Sequence, residues 1–215
     1  ATRTPWQRRG IALLAGASAT LGHAPFQLTP VYIAALVVLV WLLDAVSTSK
    51  SRFGSAFTQG WWFALGHFAT GLYWIASAFL VDADTWGIGA GVGAVIALAG
   101  SLALFWGLGC MAAIAFWTSD LRRAAVFAVS LFIVEWLRGN ILTGFPWLLP
   151  GYVWTPGEPV SQLASIVGIY GVSLLTLVIA GAVATVADGQ ANAGRRFAPM
   201  IGAASVLGLV FGWGA

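Results

Sequence analysis

The chain consists of long apolar runs separated by short segments that carry most of its charged residues. The runs span about 10–25, 30–46, 56–80, 88–117, 123–143, 161–187 and 198–214. A bilayer core takes about 20 apolar helical residues, and these runs lack the apolar–polar alternation of barrel strands. The pattern therefore predicts an all-α fold, a polytopic membrane helix bundle of about seven transmembrane helices.

Composition supports a membrane protein and excludes several other classes. Only 8% of the 215 residues are charged, whereas soluble domains carry about 25%. So few charges cannot cover a soluble globule, which excludes a soluble enzyme and a disordered chain. A single cysteine also excludes an internal disulfide framework. The net charge of +3 does not indicate a nucleic-acid partner, because the basic residues come in pairs between apolar runs.

The positions of the basic residues predict the orientation of the bundle. If every run crosses the membrane, nine of the ten basic residues lie on one side: Arg3, Arg8, Arg9, Lys50, Arg52, Arg122, Arg123, Arg195 and Arg196. The positive-inside rule then places the N-terminus inside and the C-terminus outside. Residues 8–21 also have the pattern of a cleavable signal peptide, but we favour a retained anchor because the rest of the chain is equally apolar.

The tenth basic residue, Arg138, lies within the fifth run, three residues after Glu135. Residues at this spacing share one face of a helix and can pair. Charges at membrane depth are costly, so they are usually paired or functional. Two interpretations stay open at this point: a structural ion pair, or a guanidinium that binds a lipid phosphate.

An unusual loop follows the fifth run, at the predicted outer face. It contains Gly144, Pro146, Trp147 and Tyr152. Proline ends a helix and glycine allows tight turns, so this segment is predicted to be irregular. Irregular backbone at this depth must be buried in protein or line a cavity. Residues 144–159 are therefore our candidate site for binding a lipid headgroup or acyl chain; an interfacial aromatic anchor is the alternative.

Four alternate glycines, Gly87, Gly89, Gly91 and Gly93, open the fourth run. A phosphate-binding loop would need a preceding strand and usually a lysine, and the sequence has neither there. We therefore predict that these glycines form a surface for close helix packing.

The other polar residues are weaker candidates. His23 and His67 lack a third ligand for a metal, so we expect packing or local hydrogen bonds and no metal. Cys110 lies in an apolar run without a neighbouring base, which predicts an unreactive packing residue. Asp82 and Asp84 fall in a loop and are expected to be solvated. No nucleophile–base set can be assembled from these residues, and no cofactor is predicted.

Three motifs around the fifth run resemble the membrane domain of bacterial apolipoprotein N-acyltransferases. They are EWLRG at 135–139, TGFPW at 143–147 and GY at 151–152. Similar segments occur in the expected order at 22–26, 71–75, 162–164 and 168–173. The resemblance covers essentially the whole chain, and its arginine–glycine and TGFPW parts are the most specific.

The resemblance implies a multi-pass enzyme of the bacterial inner membrane. Such enzymes transfer an acyl chain from a phospholipid donor to the N-terminal diacylglyceryl-cysteine of an apolipoprotein acceptor. Their cysteine, glutamate and lysine lie in a periplasmic nitrilase-like domain after the seventh span. Residues 1–215 match only the N-terminal transmembrane domain, so no catalytic residue is expected in this chain and the chain alone should be inactive. The residues that carry over to lipid or substrate binding are Glu135, Arg138, Gly144, Pro146, Trp147 and Tyr152.

Two other functions remain as alternatives at this point. A small membrane transporter would fit the irregular loop, although transporters usually show internal repeats and paired broken helices, which we do not find here. A membrane scaffold for a separate transferase subunit would fit a bundle without its own catalytic domain. The sequence does not specify the oligomeric state.

Overall fold

The computed structural model describes residues 4–81, 87–187 and 193–214, and within these ranges the protein is helical, without strands. The helices are α1 Pro5–Ala19, α2 Thr29–Val46, α3 Arg52–Gly71, α4 Gly87–Ala115, α5 Arg122–Asn140, α6 Pro159–Gln162, α7 Ala164–Ala184 and α8 Ala193–Gly214. The predicted all-α class is confirmed for this part of the chain. Asp82 and Asp84 lie outside the described residues.

Local sequence explains where the first two helices begin. Thr4 and Gln7 form a capping box, in which each side chain bonds the other's backbone N–H, so α1 begins at Pro5, upstream of the predicted apolar run. Pro30 lies in the first turn of α2, where proline is tolerated because an N–H at that position would have no partner within the helix.

Three described helices, α2, α4 and α7, are each long and apolar enough to cross a membrane. A fourth span results if α3 is joined to the 3₁₀ segment Tyr73–Leu80, which continues it after a bend of 46°. Helix α1 has only 15 residues, and α5 carries four charged residues, so neither meets the same criterion of length and apolarity. The structure thus supports membrane spans, while the count of seven and the orientation remain predictions.

Close packing of α1 on α3 depends on two glycines. A Cβ added at Gly16 would lie 1.8 Å from the Phe63 carbonyl oxygen, and one at Gly66 would lie 2.2 Å from the Leu13 carbonyl oxygen. Small residues of this kind let membrane helices approach closely. These contacts hold α3 in place, and α3 supplies one wall of the site described below.

The predicted glycine packing surface at the start of α4 is mostly wrong. Gly91 does pack closely, because an added Cβ would lie 2.8 Å from the Ala76 carbonyl oxygen. A Cβ at Gly87, Gly89 or Gly93 would meet nothing within 4 Å. These three residues lie on faces of α4 that no neighbouring described helix covers, which the alternating glycine pattern could not reveal.

After α5 the backbone reverses through residues 141–149, which we call the 141–149 loop. The loop leads into a short 3₁₀ turn at Pro150–Val153 and then into α6 and α7. Near its start, α7 breaks at Gly168, whose φ of 68° and ψ of 171° are not helical. Helix α5 packs against both α4 and α7, so the end of α5 and the 141–149 loop lie among three helices and their connections.

Candidate functional site

Glu135 and Arg138 form a bidentate ion pair near the end of α5. The Arg138 Nη2 atom lies 2.6 Å from Glu135 Oε2, and Arg138 Nε donates to Glu135 Oε1 at 3.0 Å. Both side chains are buried. The predicted pairing at i and i+3 is therefore confirmed, and the two parallel bonds fix the plane of the guanidinium.

Trp106 of α4 is a third member of this site. Its indole Nε1 donates to Glu135 Oε1 at 2.6 Å, and the ring stacks on Phe63 with a centroid distance of 5.4 Å. Trp106 is fully buried, in contrast to the tryptophans that collect at membrane interfaces. Sequence reasoning missed it because it lies 29 positions from Glu135 and shares no motif with it.

Arg138 also fastens the 141–149 loop to the end of α5. Its Nη1 donates to the Phe145 carbonyl oxygen, and the Phe145 N–H donates back to the Arg138 carbonyl oxygen at 2.9 Å. The guanidinium carbon lies 4.9 Å from the centre of the Phe68 ring, a cation–π contact with α3. One buried arginine therefore connects α5, α3 and the loop, and this arrangement favours the structural interpretation of Arg138.

Backbone conformation explains why the loop contains a glycine. Gly144 has φ of +76°, and an added Cβ would lie 2.4 Å from the Gly139 carbonyl oxygen. Three non-glycine residues of the same loop, Leu142, Thr143 and Leu148, also have positive φ. Such conformations persist only where surrounding contacts impose them, and here those contacts include the two bonds to Phe145.

The loop places aromatic side chains at the surface, next to the buried ion pair. Trp147 is 54% exposed and lies 5.6 Å, centroid to centroid, from Trp74, which follows α3. Tyr152 is 44% exposed, and Pro146 is also exposed. The six predicted site residues thus form two groups: the buried pair of Glu135 and Arg138, and a more exposed group in the segment that follows α5.

An apolar groove of about 450 Å³ lies beside this site, between α4 and the 141–149 loop. Its lining residues include Leu104, Phe105, Leu108, Leu142 and Arg138. Leu104, Leu108 and Leu142 are exposed, so the groove opens to the surroundings of the bundle.

The remaining sequence candidates lie elsewhere or carry no chemistry of their own. Cys110 is fully buried, with its Sγ packed against Gly60 between α3 and α4. The rings of His23 and His67 are in contact, with centroids 5.2 Å apart. Among the described residues, no group of three histidine, cysteine, aspartate or glutamate side chains could hold a metal ion.

Residues 15–182 match the family model described as "Apolipoprotein N-acyltransferase N-terminal domain". Three similar proteins carry the name apolipoprotein N-acyltransferase. The protein of Rhodopseudomonas palustris is 45% identical over 94% of this chain, that of Caulobacter vibrioides 42% over 98%, and that of Bradyrhizobium diazoefficiens 41% over 95%. In each case the match spans 38% of the relative's own length.

Proposed function

The chain belongs to the apolipoprotein N-acyltransferase family, and on this premise we propose that it forms the membrane domain of an enzyme that transfers an acyl chain from a phospholipid to the N-terminal diacylglyceryl-cysteine of a lipoprotein. The observation that carries this proposal is the family match over residues 15–182, which includes the ion pair and the fastened loop. The setting we propose is the bacterial inner membrane, which the domain crosses several times.

In this proposal the surface of the 141–149 loop and its continuation bind substrate. Trp147 and Tyr152 are exposed and amphipathic, which suits side chains that meet lipid headgroups or a lipidated peptide. The groove beside Arg138 receives an acyl chain, since most of its lining is apolar. Glu135 and Arg138 hold the loop in shape, and Arg138 also forms part of the groove wall.

We propose that the nucleophile for acyl transfer does not come from this chain. Its single cysteine, Cys110, is enclosed between α3 and α4, where no substrate reaches the thiol. A thiolate also needs a nearby cation or base for reactivity, and the apolar packing of Cys110 supplies neither. The bond-making groups would then lie in the part of the relatives that this chain does not match.

A chimaeric enzyme tests the proposal directly. This chain would replace the matching part of the Rhodopseudomonas relative, and the purified chimaera would be assayed for acyl transfer from phospholipid to a diacylglyceryl-lipopeptide amine. We expect measurable turnover from the chimaera and none from the 215-residue chain alone. An inserted and folded chimaera without turnover would contradict the proposed function, and turnover by the chain alone would contradict the assignment of the nucleophile.

The same chimaera tests the loop surface. We expect Trp147→Ala to lower kcat/KM about tenfold, the loss that corresponds to about 1.4 kcal/mol from one aromatic contact. Trp6→Ala is a matched control, because Trp6 is also an exposed tryptophan but lies at the start of α1. Equal kcat/KM values for the two variants would show that the loop does not bind substrate.

A further inference from the structure

Three buried aromatic residues with polar atoms meet at one point in the bundle. His23 follows α1, Tyr32 belongs to α2, and His67 belongs to α3. Their ring centroids are separated by 5.3 Å for His23–Tyr32, 5.2 Å for His23–His67 and 5.8 Å for Tyr32–His67. Tyr32 and His67 are fully buried, and His23 is 4% exposed. We call these three residues the histidine–tyrosine cluster.

Each member of the cluster has a polar atom without a protein partner. Within the described part of the chain, His23 Nε2, Tyr32 Oη and His67 Nε2 are buried and make no hydrogen bond. The three atoms therefore do not bond one another either, although their rings are in contact. More than 90% of buried polar groups in proteins bond to protein atoms or to ordered water, so three unbonded polar atoms on rings that contact one another indicate a ligand.

Thr20 contacts the other ring nitrogen of His67. The Thr20 hydroxyl donates to the His67 carbonyl oxygen at 3.0 Å and lies 2.7 Å from the Thr70 hydroxyl. The same oxygen lies 3.4 Å from His67 Nδ1, where the donor depends on the tautomer of the imidazole. A water molecule can donate or accept, so it can bond His67 Nε2 in either tautomer and Tyr32 Oη as well.

The electrostatic surroundings favour a neutral ligand. The two ionised groups that act on Tyr32, Glu135 and Arg138, pair with each other at 2.6 Å. Because each is already bonded to the other, neither is available as the counter-charge that an ion in the cluster would need in place of its hydration. A water molecule can donate to an imidazole nitrogen and bond a phenol at the same time.

We propose that the histidine–tyrosine cluster is an internal water-binding site, in which His23 Nε2, Tyr32 Oη and His67 Nε2 bond one or more water molecules. Through the bound water, the site connects the segment after α1 with α2 and α3, because these side chains do not bond one another directly. It also lies beneath the 141–149 loop, since Leu148 packs on Gly71 and its backbone lies near the His67 ring. The proposal does not depend on the proposed function.

Radiolytic footprinting of the chain in lipid nanodiscs tests the site without any substitution. Millisecond X-ray pulses generate hydroxyl radicals from bound water, and mass spectrometry locates the oxidised side chains. We expect Tyr32 to be oxidised at least fivefold faster than Phe127, an equally buried ring in α5. Equal, slow oxidation of Tyr32 and Phe127 would overturn the proposal.

The sign of a stability change provides the second test. With bound water, Tyr32→Phe removes a hydrogen bond, and we expect the melting temperature in nanodiscs to fall by about 2–4 °C. If the hydroxyl is dry, its removal eliminates an unsatisfied group, and the melting temperature stays the same or rises. An unchanged or a higher melting temperature of Tyr32→Phe would therefore contradict the proposed water site. Tyr73→Phe, at a residue that is 71% exposed, is the matched control and should change nothing.

Discussion

Replacing Glu135 by glutamine should strongly destabilise the bundle. Glu135 accepts three hydrogen bonds, one from Trp106 and two from Arg138. The glutamine keeps the size of the side chain but has no charge, and its amide NH₂ group replaces one of the accepting oxygens. Arg138 then remains buried as a cation without a counter-charge, and one of its N–H groups faces another donor.

The expected loss follows from this burial. Removing one partner of a buried ion pair costs about 3–5 kcal/mol, because the remaining charge has lost both water and its partner. Replacing both partners by apolar residues avoids that penalty and is often neutral. We therefore expect Glu135→Gln to lose about 3–5 kcal/mol of unfolding free energy. The double variant Glu135→Leu, Arg138→Met should recover only part of that loss, because Trp106 Nε1 and the Phe145 carbonyl oxygen then lack their partners.

Equilibrium unfolding in mixed micelles with increasing dodecyl sulfate, followed by circular dichroism, measures these differences. Asp120→Asn is the matched control, since Asp120 and Arg122 form an ion pair at 2.9 Å whose side chains are 49% and 78% exposed. Surface pairs of this kind contribute little, so the control should match the unsubstituted chain. If Glu135→Gln unfolds at the same detergent fraction as the control, Arg138 does not depend on Glu135 and our reasoning about the site is wrong.

Two further substitutions test the contacts around this pair. Trp106→Phe keeps an aromatic ring but removes the N–H that bonds Glu135, so the same unfolding assay should show a loss of about 1.5–3 kcal/mol; an unchanged midpoint would mean that the indole bond is not formed. Gly16→Ala places a Cβ 1.8 Å from the Phe63 carbonyl oxygen and should lower the unfolding free energy by about 1–3 kcal/mol. Gly10→Ala is the control, because its Cβ meets nothing within 4 Å and should not destabilise the bundle. Equal unfolding midpoints for the two variants would contradict the close packing of α1 on α3.

The sequence predicts the helical segments well because hydropathy is a local property. The second run predicts a helix over 30–46, and α2 spans Thr29–Val46; the fifth predicts one over 123–143, and α5 spans Arg122–Asn140. The third run contains a bend of 46° between Gly71 and Tyr73, which the sequence does not reveal because no charged residue or proline interrupts residues 56–80. Periodicity and mean hydropathy carry no information about such a bend.

Only part of the candidate site can be predicted from the sequence. Glu135 and Arg138 are conspicuous, because charges within an apolar run have few explanations, and their spacing alone predicts their pairing. Trp106 is one of 12 tryptophans, and only tertiary packing shows that it is buried and bonds Glu135. The histidine–tyrosine cluster was missed for the same reason, since its members come from three separate segments.

The positive φ angles of Leu142, Thr143 and Leu148 have a consequence for the order of folding. Each left-handed residue costs about 1–2 kcal/mol, so the three together oppose the shape of the 141–149 loop by roughly 3–6 kcal/mol. The isolated segment therefore does not hold this shape by itself. Arg138 is placed to bond Phe145 by α5, through Glu135, and by its contact with Phe68 of α3, so we predict that the loop closes after α3 and α5 have packed. We therefore expect the surface that we propose for substrate binding to form after these helices have packed and to be lost when their packing is disturbed.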